Sequence, residues 1–339
     1  MEVRPPRARR LRSTLWGVAL AAVLAVVVAA SLGVGARVIP PREVLGALFA
    51  PAGTDADVLV REARVPRTLV GVIAGGALGL AGALVQGHTR NPLADPGILG
   101  VGAGAAFAVC LGISAFGITS LERQVWLALL GALLVSAVVF AVGAPRGRQP
   151  APVVLALVGT VVTALLTALT SAVLLLDSAT ITSFRFWTVG SLAGRGLDEA
   201  AVVLPFLLAG TVLAAGAARP LDAMALGEEL AASLGNRLAL ARGLGVAAVA
   251  LLTASAVAVA GPLVFVGLVA PHVARGITGP GHRRVLPLAA VVGVVTVLAA
   301  DVVGRLVVHP EEVQVGIITA LVGGPLFIAF VRRRRLASL

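Results

Sequence analysis

Residues 243–274, GLGVAAVALLTASAVAVAGPLVFVGLVAPHVA, run for 32 positions without a formal charge. As one α-helix this stretch would extend about 48 Å, against a bilayer core of about 30 Å. Arg237 and Arg242 precede it, and Arg275, Arg283 and Arg284 follow it. Arginine concentrates in the cytoplasmic loops of membrane proteins, so both ends belong on one side and the run must be a hairpin. Gly261-Pro262 near its middle is the natural break, because proline lacks an amide donor and crowds the preceding turn.

Outward from this hairpin, further uncharged runs occupy 13–36, 68–89, 96–121, 124–145, 149–176, 200–218, 285–300 and 313–331. Most have the roughly 17 to 25 residues that cross a bilayer as helix. The chain is 58% hydrophobic and 13% charged, with a mean hydropathy of +1.02, far from the soluble globular range. The alternating decads of a membrane β-barrel are absent, so helices must satisfy the backbone in lipid. The expected fold is all-α: a polytopic membrane protein of about ten transmembrane helices, with N- and C-termini cytoplasmic. The polar connections 37–67, 177–199 and 219–242 are too short for independent cores, so residues 1–339 form a single transmembrane domain. Pro41 is placed to start a short helix in the first connection.

The 27 basic residues are all arginine. In this topology eighteen lie inside with five acids, and nine lie outside with eleven. The net charge of +11 therefore reports orientation, and nucleic-acid binding is a poor reading of it. The arginine-rich start followed by an apolar run admits a cleaved signal peptide, but the run exceeds the usual h-region of about 7 to 15 residues and favours a retained first helix. Cys110 is alone and cannot form an internal disulfide.

Absences narrow the function. With no lysine, the phosphate-binding G-x-x-x-x-G-K-[ST] loop cannot exist here, so any ATP that drives this chain is hydrolysed by another subunit. Ion-coupled carriers place carboxylates deep in the bundle, whereas the uncharged runs hold none. Asp301 lies near the outer end of its helix with Arg305 one turn on, either as a local i,i+4 ion pair or in a functional role. His88, His272, His282 and His309 fall near helix ends or in loops without metal-ligand spacing, so neither a catalytic nor a metal site is expected.

Gly71, Gly75 and Gly79 repeat at every fourth position and invite close approach of another helix. Thr160, Thr163, Thr167 and Thr170 share one helical face. Their hydroxyls either bond their own i−4 carbonyls or form a mildly polar wall for a large solute. In REARVPR, Arg61, Arg64 and Arg67 stand at the outer mouth of a helix, where arginine is disfavoured. Lipid phosphate or Glu62 could compensate them, or an acidic partner docking from outside. The turn RNPLADPGILG, 90–100, reverses the chain near the cytoplasmic face: Pro92 biases Asn91 away from helix and Pro96 can start the next one.

RVPRTLVGVIAGGALGLAGALVQGHTRNPLADPGILGVGAGA resembles the FecCD-type permeases, membrane subunits of ATP-binding-cassette importers for iron-siderophores, haem and cobalamin. The resemblance continues through LGEELAASLGNRL, AGPLVFVGLVAPHVARGITGPGHRRVLPLAA, ADVVGRL and VGIITALVGGPLFIAFV. It implies a non-enzymatic permease subunit in a bacterial plasma (inner) membrane. Its implied partners are a second permease subunit, identical or related, a pair of ATPase subunits that bind ATP and Mg, and an extracytoplasmic solute-binding protein. No cofactor is implied in this chain itself. By the same resemblance Arg64, Arg67 and Arg305 accept glutamates of the binding protein, and Leu226, Gly227, Glu228, Glu229, Ala232 and Gly235 seat in the ATPase. Ferric siderophore is the implied cargo, with cobalamin or haem behind it and an ion-coupled secondary carrier further off.

Overall fold

A computed structural model describes residues 6–143, 152–225, 238–308 and 311–332. They form α1 (Pro6–Gly33), α2 (Pro41–Phe49), α3 (Asp55–Val58), α4 (Val65–Thr89), α5 (Val101–Phe116), α6 (Leu121–Gly143), α7 (Pro152–Leu176) and α8 (Ser178–Thr188). After these come α9 (Leu197–Met224), α10 (Leu238–Ala260), α11 (Val266–Thr278), α12 (His282–Val307) and α13 (Val315–Arg332). Among the described residues there is no strand. Among the described residues seven helices are long and apolar enough to cross a membrane, and 101–116 and 315–329 are shorter apolar helices. The chain is a multi-pass helical membrane protein.

The opening run divides where proline and glycine predict. Gly261 adopts φ 71°, a left-handed turn that closes α10 as its N–H donates to Val257 O at 2.8 Å. A Cβ there would meet Trp187 O at 2.7 Å, so the break is packed as well as turned. The turn after α4 departs from expectation in one respect. Pro96 starts only a 3₁₀ turn, Pro96–Leu99, and α5 begins at Val101 because Gly100, at φ 71°, interrupts the helix.

The core lies along α4, α10 and α12, whose membrane windows are 78%, 72% and 61% buried, whereas that of α7 is 17% buried. The glycine repeat makes the α4–α12 seam. A Cβ on Gly75 would stand 2.5 Å from Gly293 O, and one on Gly79 would stand 2.1 Å from Ala289 O. Backbone meets backbone, which only residues without side chains permit.

Upstream of α4 the helical stretch extends back to Asp55. Thr54 and Asp57 form a reciprocal capping box for α3. A wide turn, Leu59–Arg64, then joins α3 to α4 just ahead of Pro66. Proline has no N–H to give and crowds the carbonyl four residues back, and a wide turn absorbs that misfit. Ile39, Val44, Ala47, Ala56 and Val60 bury together under this arm as a small second core. The connection 177–199 also holds α8, a helix not foreseen from the sequence. Asp177 caps it, accepting from Ala179 N at 3.1 Å, and Phe184 stacks on Trp187 at 6.0 Å.

Candidate functional site

The three arginines singled out by sequence converge at one end of the bundle. Arg64, 5% exposed, donates from NH1 to Leu32 O at 2.7 Å and from NH2 to Arg37 O. Arg305, 3% exposed, donates to Ser31 O at 2.8 Å and Val34 O at 2.9 Å, and its NH2 pairs with Asp301 one turn before it. Both clamp the end of α1. Arg67 reaches Asp301 through NH2 at 2.7 Å and through Nε at 3.1 and 3.2 Å, while its NH1 meets Glu312 Oε2 at 2.6 Å. The local Asp301–Arg305 pair foreseen from spacing is present, but Asp301 also binds Arg67 from a helix 234 positions away in sequence.

Geometry separates the roles of the three. Arg64 and Arg305 lie inside, with carbonyls and Asp301 as acceptors, and such buried cations are tolerated only when paired. The outward part of the cluster is Arg67 with Glu312, whose side chains are 15% and 30% exposed. Arg67 is therefore the most accessible guanidinium of the three, and Glu312 already engages its NH1. Sequence reading did not single out Glu312 or Ser31. Their only signal was proximity to a helix end, with nothing to say which helix would face them.

At the opposite end a second polar network fixes the 90–100 turn. Arg90 turns left-handed at φ 49°, Asn91 Oδ1 accepts from Leu93 N at 2.9 Å, and Asp95 Oδ1 accepts from Gly97 N at 2.8 Å. Burial pushes the Asp95 carboxyl above its usual range, partly offset by that bond. Gln86, fully buried, donates to Ala94 O and Leu268 O at 3.3 Å and accepts from Arg275 NH1 at 2.6 Å. It stitches α4, the turn and α11 together, and sequence reading passed over it. His282 bonds Asp222 at the end of α9, through its backbone N at 2.7 Å and Nδ1 at 2.9 Å, and Arg90 NH2 reaches Met224 O at 2.8 Å.

Those contacts anchor the chain just before residue 226. The expected coupling residues Leu226, Gly227, Glu228, Glu229, Ala232 and Gly235 themselves lie outside the described residues. The threonine face of α7 straddles a border. Thr160 and Thr167 are exposed, Thr163 is half-buried beside Gly100, and Thr170 is buried. Thr160 and Thr170 donate to Ala156 O and Leu166 O at 2.8 Å, the local back-bond of helical hydroxyls. Among the described residues no group of three or more His, Cys, Asp or Glu side chains could hold a metal ion.

Comparison with known proteins places this architecture. The chain is 43% identical to the ferric enterobactin transport system permease protein FepD of Escherichia coli K12, over 92% of this chain and 93% of that one. It is 36% identical to the cobalamin import system permease protein BtuC of Halobacterium salinarum, over 96% of this chain and 91% of the other. Among solved structures, a metal-chelate type ABC transporter in an inward-facing conformation superposes with a TM-score of 0.81 at 29% identity, covering 93% of this chain and 98% of that chain. The profile of the FecCD transport family matches residues 23–333, and the chain belongs to that family.

Proposed function

We propose that the chain is the membrane-spanning permease subunit of a binding-protein-dependent ABC importer that carries ferric siderophores. The observation that carries this reading is the family match over residues 23–333, joined to 43% identity with a ferric enterobactin permease along nearly the whole length. Cobalamin is the second reading, favoured by the 36% identity to a cobalamin permease. The missing lysine fits the assignment, since a chain without a phosphate-binding loop must leave ATP and Mg to partner ATPase subunits. The chain itself is no enzyme and holds no cofactor of its own.

Residues 1–339 act as one permease domain with ten crossings, both termini cytoplasmic, in a bacterial inner membrane. The seven long apolar helices, with α5, α11 and α13, supply the ten. The break at Gly261 supports this count by splitting one overlong run into two legs. A second permease subunit completes the passage.

An extracytoplasmic binding protein docks on the arginine end, with an acidic side chain engaging Arg67. Arg64 and Arg305 hold α1 and Asp301 in place behind it. ATP binding draws together the 226–235 segments of the two permeases. The Asp222–His282 and Arg90–Met224 contacts carry that movement into α9, α4 and α12. The solute passes along a wall that includes Thr160, Thr163, Thr167 and Thr170 and binds it weakly, because tight binding in either state would trap it.

In proteoliposomes holding this chain with its ATPase subunits, ferric-siderophore-loaded binding protein is expected to raise ATP hydrolysis and drive uptake together. Gly235→Trp is expected to leave hydrolysis running while uptake falls at least about tenfold, the loss that about 1.4 kcal/mol of coupling represents. Equal uptake by wild type and variant would remove the coupling assignment.

A further inference from the structure

Helix α2 carries an apolar face that the rest of the chain leaves open. Its Val44 and Ala47 bury in the small second core, against which Leu32 of α1 packs. Arg42, Leu45 and Phe49, spaced three and four apart, share the opposite face. Leu45 is 56% exposed, Phe49 is 82% exposed, and Val38, just ahead of the helix, is 68% exposed. Arg42 is exposed beside them. Apolar side chains gathered on one face of a surface helix, with a cation at the rim, mark a contact surface, whereas single exposed leucines do not.

Depth along α1 says what lies beside that face. No charge stands between Arg12 and Arg37, and the membrane window of α1 runs from Trp16 to Gly33 with 6% of it buried by this chain. At 1.5 Å per residue the window spans about 26 Å, close to a hydrocarbon core of about 27–30 Å. Tryptophan favours the membrane–water interface, so with the exposed Trp16 at one interface Gly33 reaches the other. Helix α2 is pinned at that level. Ile39 N donates to Gly33 O at 2.9 Å, and Arg64 NH1 holds Leu32 O at 2.7 Å. Arg37, the first charge past α1, is exposed there.

We propose that α2 is an interfacial anchor whose Arg42–Leu45–Phe49 face lies in the headgroup layer of the bilayer. Leu45 and Phe49 enter the boundary of the acyl chains, and Arg42 meets lipid phosphate. The face is continuous with α1, which this chain leaves almost wholly open to the bilayer. Its chemistry fits lipid better than a protein partner. Protein interfaces carry about one hydrogen bond per 100–200 Å², and Arg42 is the only side chain of the three with a donor. Held this way, α2 fixes the height at which α1 leaves the membrane, and through the Arg64 bonds it steadies the arginine end. The inference rests on the membrane-spanning fold and is independent of cargo, ATP and the side of the membrane.

The test uses the full chain in vesicles of phosphatidylethanolamine and phosphatidylglycerol, with the lone cysteine removed as Cys110→Ala. A nitroxide is attached to Phe49→Cys, Leu45→Cys or Glu43→Cys, one per sample, and its collisions with oxygen and with a water-soluble nickel chelate are measured by electron paramagnetic resonance. Oxygen concentrates in the bilayer and the chelate in water. The oxygen-to-nickel ratio is expected to be at least about threefold higher at 45 and 49 than at 43, which lies about 100° around the helix from Arg42. A label on Val26→Cys, midway along α1 and 67% exposed, reports the membrane position of α1 by itself and is expected to give the highest ratio. Two labelled positions keep the test open if one variant fails to fold. Labels at 45 and 49 as open to nickel as the one at 43, with Val26 in the bilayer, would overturn the anchor and leave the face to solvent or a visiting protein. Labels shielded from both reagents, or broadened by a neighbouring nitroxide, would overturn it in favour of a second copy of this chain. A Val26 label open to nickel would remove the depth argument and the anchor with it.

Discussion

The α4–α12 seam and helix α7 are equally apolar and built on opposite plans. Along the seam, Gly75 and Gly79 bring backbones into contact, and almost four-fifths of the α4 window is buried. Along α7, Leu157, Val161 and Leu165 are 58–65% exposed. In a bilayer, lipid tails are as apolar as leucine, so polarity cannot separate an inner face from an outer one. Residue size can. Glycines mark where backbones of this chain meet along the seam, whereas the leucines and valines on this arc of α7 stand exposed.

The sharpest way to break this contrast is a paired substitution. Gly79→Leu forces a side chain into the Ala289 carbonyl and is expected to cost about 3 kcal/mol or more, read as loss of monodisperse protein or a large fall in Tm. Leu165→Ala, on the exposed arc of α7, is expected to stay within about 0.5 kcal/mol of the parent. Equal effects would mean that the seam is not the structural core.

A smaller effect is expected at the arginine end. Charge reversal at Arg64 would set a buried carboxylate against the carbonyls of Leu32 and Arg37, so it reports on folding more than on docking. Glu312→Gln is the cleaner probe. It removes the competitor on Arg67 and is expected to tighten the binding protein severalfold, about 1 kcal/mol, without altering stability. Weaker docking would show that Glu312 itself receives the partner. Smallest of all, Thr167→Val keeps shape on α7 and is expected to change uptake by less than about threefold with the fold intact, as a weakly binding wall requires. A tenfold loss would make Thr167 a specific ligand contact.

Much of the fold was legible in the sequence because single residues forced it. Gly261-Pro262 broke an overlong run, Pro41 opened α2, and glycines four apart drew α12 onto α4. Arg64, Arg67 and Arg305 were picked out through the family resemblance, the first two also through the charge anomaly, but not as one cluster. Their inward-facing bonds were not legible, since nothing in a chain announces that carbonyls at 32, 34 and 37 will meet guanidinium groups from two other helices. Gln86 escaped notice for the same reason, an ordinary residue until folding buries it beside Gly267, Leu268 and Arg275, far away in sequence. Helix α8 was missed because its short, mixed pattern resembles a polar connection, and only the Asp177 cap betrays it.

The most direct test of the central claim is uptake of radiolabelled ferric siderophore in bacteria lacking their own importers. They would express this chain with its ATPase subunits and binding protein, and each assay would be run with an ionophore and then with ATP depleted. The account predicts uptake that survives the ionophore and stops without ATP. Uptake that collapses with the ionophore while ATP persists would contradict it and make the chain an ion-coupled carrier.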